Sequence, residues 1–374
     1  MISTTSEKVR PAGELTRHIP ALDGVRGLAV LMVVAIHYGN LTTSHSPIIR
    51  AITIIKGMGW VGVDIFFVLS GFLITGILWE TKDRPHRWKN FYVRRALRLF
   101  PLYYAVWTFL LLYVFLTHRP WQNSYFGFLL YFGNIAVHYT TSVGIFPVEH
   151  LWSLAVEEQF YLVWPFILWK IGRERTAMLF LAGIAAFSIA LKLILVLAHV
   201  QGQWGYHLLP SHMEGLALGS ILALAIRTPA MNSHLQFASR CLPLILVALG
   251  AVAVYFHGLN LLDNVVILFA VPLISLAATL LLSMCLIPGT LYKKAMESPV
   301  LRFYGKYSYG LYIYHVLLIN VLHNSIYNPL FAKLHSSAVA GSLYLATCAV
   351  LLTGLSVVSF HIYESRFLAM KRYF

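Results

Sequence analysis

Continuous apolar runs of about twenty residues recur from one end of the chain to the other, separated by short polar links. Each helical residue advances about 1.5 Å, so a run of that length matches the hydrocarbon core of a bilayer. In order, the runs predict spans near 22–41, 59–80, 97–117, 151–169, 177–199, 209–227, 240–257, 264–287, 304–325 and 338–362. The apolar positions are contiguous instead of alternating, which argues against a membrane β-barrel. The expected fold is all-α: a polytopic membrane helix bundle with about ten transmembrane helices and no soluble domain.

A further apolar piece, 125–138, is interrupted by Gly127, Gly133 and Asn134 and is too short to cross. The link charges agree that it is re-entrant or lies at the surface. With ten spans and a cytoplasmic N-terminus, the basic links 82–98, 170–175, 227–240 and 293–306 and the tail 366–372 all fall on the cytoplasmic side. An eleventh span would put one of them outside. The reading is a membrane domain over 21–363 between cytoplasmic tails 1–20 and 364–374.

Composition explains the rest of the charge. Hydrophobic residues make up 59% of the chain and charged ones 11%, and the net charge of +14 follows from the basic links, so nucleic acid is not an expected partner. Cys241, Cys285 and Cys348 have no pair spacing, which suggests neither disulfides nor a metal site. The polar first twenty residues precede no cleavage pattern, so the first helix itself is expected to direct insertion.

Ionisable residues inside the apolar runs are the candidates for chemistry, because lipid tolerates them only when they are paired or turned inward. Arg26 and His37 are eleven residues apart, which puts them on one helix face about 16 Å apart along the axis. Counted from the cytoplasmic helix ends, His37, Asp64 and Glu157 all lie about 20–24 Å up, in the outer half of the membrane. The plainer reading is a packed histidine with two carboxylates near the interface. Arg95 and Arg98 share a face, with Arg94 beside them, and suit a phosphate-rich ligand as well as they suit anionic head groups. Adjacent Glu157 and Glu158 point about 100° apart, so only one can line the interior. Ser308, Tyr312 and His315 fall on about one face, as a polar seam or a groove. Gly57, Gly59 and Gly62 spell G-x-G-x-x-G without a βαβ context, and no H-E-x-x-H, P-loop or paired C-x-x-C occurs.

Five stretches together carry a resemblance: LDGVRGLAVLMVVAIH, GVDIFFVLSGFLITG, YVRRALRLFPLYY, LWSLAVEEQFYLVWP and YSYGLYIYH, in order between residues 22 and 315. The chain resembles the acyltransferase 3 family of integral-membrane O-acyltransferases. The final helix ends YESRF, where the family often has a proline soon after Glu364. Some members carry a fused extracytoplasmic esterase-like domain, and none is read here. The resemblance implies transfer of an acyl group, commonly acetyl from acetyl-CoA, to a hydroxyl of a sugar, glycan, secondary metabolite or lipid-linked acceptor. His37 matches the family's catalytic histidine, Arg26 its paired arginine, Arg95 and Arg98 the donor-associated motif, and Glu157 the acid of the W-S-L-x-x-E-x-Q-F-Y segment.

On this reading acyl-CoA docks from the cytoplasm as a substrate, with no permanently bound cofactor and no metal. His37 acts as base or acyl carrier, with Asp64 or Glu157 steadying it. The expected location is the bacterial inner membrane. Carboxylates and a histidine at one depth also describe a proton-coupled transporter or flippase, although no inverted repeat is visible.

Overall fold

The computed structural model describes residues 19–38, 57–200, 202–229, 231–256, 258–259 and 263–374. Most of the N-terminal tail and the outer link after the first helix, residues 39–56, lie outside the described residues. The main helices are α1 (Pro20–Tyr38), α2 (Val61–Glu80), α3 (Arg87–Leu116), α4 (Trp152–Ile171), α5 (Glu174–Leu197) and α6 (Glu214–Ala225). They are followed by α7 (Met231–Tyr255), α8 (Val271–Leu286), α9 (Pro299–Lys306), α10 (Ser308–Leu317) and α11 (Ser337–Ser359). The bundle is all-α apart from a two-residue hairpin, Ser142–Val143 against Phe146–Pro147.

Among the described residues, seven helices are long and apolar enough to cross a membrane, which makes this an integral membrane protein. The expected ten divide differently. α4 is long enough but carries Glu157, Glu158 and Gln159, and α6 has only 12 residues. The run 304–325 breaks into α9, α10 and the short helix Ile319–Leu322. Helices surrounded by other helices need neither full length nor full hydropathy, because protein satisfies them in place of lipid. The piece 125–138 forms helices Ser124–Leu129 and Gly133–Ala136, each far too short to cross, and Tyr103 on α3 hydrogen-bonds the Phe128 carbonyl at 2.6 Å.

Burial sorts the helices into two layers. α1, α2, α6 and α8 form the inner group, with Val30, Phe67, Leu216 and Val271 almost wholly buried. α5, α7 and α11 expose large apolar side chains such as Leu197, Val247 and Val350, as lipid-facing helices do. Glycines let the inner backbones touch: a Cβ on Gly27 would lie 1.9 Å from the Leu301 carbonyl oxygen, and one on Gly219 would lie 1.9 Å from that of Val68. Close small-residue crossings suit a membrane interior, where packing and not hydrophobicity drives helix association. α3 starts ten residues before its predicted run, so the arginine segment is the helix's own first turns and lies over the bundle.

Candidate functional site

A cavity of about 750 Å³ lies among α1, α2, α3, α4 and α10. Its lining runs from Ile19, Thr81 and Arg84, at the basic-link ends of α1 and α2, up to Ser153 and Tyr312. Arg26, Arg84, Arg94, Arg95, Arg98 and Lys371 line it, against the carboxylates Asp23 and Glu157. Asp23 takes up Arg26, one helical turn away, at 2.7 Å. The Arg95 guanidinium lies over the Tyr161 ring, 4.9 Å from its centre. Among the described residues no carboxylate comes within ion-pair distance of Arg95 or Arg98, and Arg98 is exposed into the space. Unanswered guanidinium forks around an enclosed volume are suited to the paired oxygens of phosphate groups.

Glu157 faces this cavity, as α4 requires once Glu158 turns about 100° away. One of its oxygens accepts from Ser70 Oγ at 2.5 Å, and Ser70 is also 2.6 Å from the Tyr161 hydroxyl. α2 and α4 are thus pinned together beside Arg95. Tyr312 lines the cavity toward its outer end, and its hydroxyl hydrogen-bonds Ser153 and donates to the His150 carbonyl at 2.9 Å.

Three imidazoles lie beyond Tyr312. His150 and His315 have ring centres 5.3 Å apart, and His315 and His37 are 5.0 Å apart. His37 is half-buried, and its Nδ1 lies 2.8 Å from the Val33 carbonyl oxygen. A carbonyl only accepts, so Nδ1 carries the proton and the basic lone pair is on Nε2. His37 is not among the described residues lining the cavity. It connects to it through His315, His150 and Tyr312, whose rings follow one another at 5.0–5.7 Å.

The three groups expected at one depth are therefore in three environments. Glu157 meets α2 at Ser70, six residues or about 9 Å along the axis from Asp64. Asp64 lies outside the cavity, fully buried, where it bonds His212 Nε2 at 2.9 Å and the Tyr206 hydroxyl at 3.3 Å. His212 Nδ1 is 2.6 Å from the Tyr206 carbonyl, so both its ring nitrogens face oxygen acceptors and neither is left to act as a base. Beside it, buried Lys192 on α5 pairs with Glu214 at the start of α6, and Ser188 donates to that carboxylate at 2.6 Å. The carboxylates offered as partners for His37 are thus engaged elsewhere. Of the three residues the spacing puts on about one face, Ser308 and Tyr312 line the cavity, and His315 lies against Tyr312 outside it. Sequence reasoning did not single out Ser70, Ser153, His212 or Lys192, whose partners lie on other helices. Among the described residues no group of His, Cys, Asp or Glu is arranged to hold a metal ion.

The acyltransferase domain family, Acyl_transf_3, matches residues 19–361. A Bacillus subtilis protein, YrhL, provisionally named a peptidoglycan O-acetyltransferase, is 30% identical over 346 residues, covering 84% of this chain and 51% of the relative. A provisionally named O-acetyltransferase of Staphylococcus aureus is 29% identical over 331 residues, 82% of this chain and 52% of the relative. The peptidoglycan O-acetyltransferase OatA of Listeria monocytogenes is 35% identical over 201 residues, 50% of this chain and 29% of its own. The chain spans about half the length of the first of these curated relatives. No solved structure matches.

Proposed function

The chain belongs to the acyltransferase 3 family, and from that premise we propose that it is an O-acetyltransferase, carrying acetyl from acetyl-CoA to a hydroxyl of a carbohydrate. The observation that carries the reading is the cavity lined by Arg95 and Arg98, neither of which makes an ion pair with a carboxylate among the described residues, and by Tyr312, beyond which lie three imidazoles. Relatives named for peptidoglycan make that glycan the first acceptor to test. The setting is the bacterial inner membrane, with donor on the cytoplasmic side and acceptor on the outer side.

Coenzyme A phosphates bind Arg95 and Arg98, with Arg26 at the same mouth, and the pantetheine arm extends between Ser70 and Tyr309 toward Tyr312. Glu157 holds Ser70 and Tyr161 in place and so shapes the floor beside the arginines. A neutral alcohol attacks a thioester slowly, so a base at the hydroxyl is needed, and imidazole suits neutral pH. His37 Nε2 takes the hydroxyl proton as the oxygen bonds to the acyl carbon. The carbon–sulfur bond breaks, and the departing thiolate takes the proton back, giving the ester and free coenzyme A. Asp64 acts at a distance, by fixing α2 against His212.

The test is label transfer from radiolabelled acetyl-CoA to peptidoglycan fragments by reconstituted protein. Transfer that disappears in His37→Ala supports the reading. Movement of an acceptor across the membrane without acylation would replace it with transport, which family membership does not favour. An acetylated enzyme trapped in the wild type and absent from His37→Ala would assign the covalent route in place of direct transfer.

A further inference from the structure

Two buried ring nitrogens beside His37 have no hydrogen-bond partner: Nδ1 of His150 and Nε2 of His315. Geometry fixes which nitrogen of each ring carries the proton. His150 Nε2 lies 3.1 Å from the Ile313 carbonyl oxygen, and His315 Nδ1 lies 2.7 Å from that of Tyr312. Both carbonyls only accept, so those nitrogens are the N–H groups and the unpartnered ones are lone-pair acceptors. Burial and the neighbouring His37 push His150 down to about 3, so its ring holds no second proton at neutral pH. A buried acceptor left unmade is costly, and folded proteins keep few of them without a purpose.

The surroundings limit what the missing partner is. The rings are not arranged to hold a metal ion among the described residues, so the partner is a hydrogen-bond donor. Tyr312 braces both rings: its carbonyl receives His315, and its hydroxyl reaches the His150 carbonyl. That same side chain lines the donor cavity. The two lone pairs therefore lie across one residue from where a thioester would arrive.

Building on the function proposed above, we infer that His150 and His315 form with His37 the acceptor subsite, and that the acceptor carries several hydroxyls. One hydroxyl gives its proton to His37, while Nδ1 of His150 and Nε2 of His315 accept hydrogen bonds from its neighbours. Neither ring moves a proton; both are positioning groups that select a polyol over a simple alcohol. Two unmet acceptors also make the subsite reject molecules that lack the matching hydroxyls, because a site built for hydrogen bonds pays when they are not made.

His150→Gln and His315→Asn test this, because each keeps an amide N–H for its carbonyl partner and deletes the lone-pair nitrogen. The intact protein is reconstituted in nanodiscs and assayed with radiolabelled acetyl-CoA against an N-acetylglucosamine tetramer, peptidoglycan fragments and 1-propanol. Acetyl-CoA affinity and thermal stability are measured alongside. The expected result is a KM for the sugar raised about tenfold in each variant, with unchanged donor affinity and with transfer to propanol no lower than in the wild type, since the unmet acceptors that disfavour it are gone. An unchanged sugar KM overturns the inference. So does an equal loss on sugar and propanol, or a loss of donor affinity, since either marks a structural role. A wild-type protein inactive on every acceptor overturns the proposed function itself, a failure distinct from active wild type with indifferent variants.

Discussion

The backbone contact between α1 and α9 makes Gly27→Ala a decisive perturbation. A methyl at Gly27 would sit 1.9 Å from the Leu301 carbonyl oxygen, and Gly24 and Gly305 are as tight, at 1.7 Å from Met296 and 1.8 Å from Asp23. No side chain can rotate away, because the obstacle is main chain. The two helices must part by about 1.5 Å to reach ordinary contact at 3.4 Å, an overpacking that costs about 1–3 kcal/mol. The functional effect is larger than the stability loss. Arg26 precedes the substituted residue, and α9 leads through Tyr307 directly into α10, which carries Tyr309, Tyr312 and His315. Donor arginine and acceptor imidazole thus separate together, and a misplacement of about 1 Å lowers rates by up to about a hundredfold. Acetyl transfer and thermal unfolding are measured against Gly183→Ala on α5, where a methyl meets nothing within 4 Å and helix propensity adds about 0.5–1 kcal/mol. Gly27→Ala matching Gly183→Ala in both stability and transfer would refute the argument.

Two further outcomes follow from the charges. Arg98→Ala should raise the Kd for acetyl-CoA at least about tenfold by titration calorimetry and leave the fold intact, since charge-assisted hydrogen bonds contribute about 1.5–3 kcal/mol; an unchanged Kd would remove the donor from this cavity. Lys192→Met strands the Glu214 carboxylate in the interior and should cost about 3–5 kcal/mol, seen as a large fall in Tm, while Lys192→Met with Glu214→Gln recovers most of it. Equal Tm values for the single and double variants would show that the pair is not the determinant.

The helices were legible in the sequence because lipid demands long uninterrupted apolar runs, and the runs 22–41, 59–80, 177–199, 240–257, 264–287 and 338–362 each hold one of the seven span-length helices. Hydropathy reports exposure to lipid, however, and says little about helices enclosed by protein. α6 is short because Gly71 and Gly219 seat it directly on α2, backbone against backbone. On the polar face of α4, Glu157 is met by Ser70 and Gln159 by Asn134 and the Tyr131 carbonyl. The arginine segment reads as a loop when charge is equated with water. It is helical because a cavity, and not the bilayer, lies against it.

Depth counting failed at the site for a related reason: it took every helix end as the same ruler mark. It gave three ionisable groups a common level and left open whether they shared a purpose, whereas partner identity depends on which helices abut. Asp64 and His212 are 148 residues apart, a separation that no periodicity encodes. What distinguishes structural from functional charge here is whether the protein supplies the answer. Asp64 is met by His212 and Tyr206, and Glu214 by Lys192 and Ser188, so these charges are settled before any ligand arrives. Arg95 and Arg98 make no ion pair with a carboxylate among the described residues, and the lone pairs of His150 and His315 have no hydrogen-bond partner. The unanswered cations sit on the basic-link side of Tyr312 and the unanswered acceptors behind it. An anionic donor and a hydroxylated acceptor meeting at that residue would satisfy both.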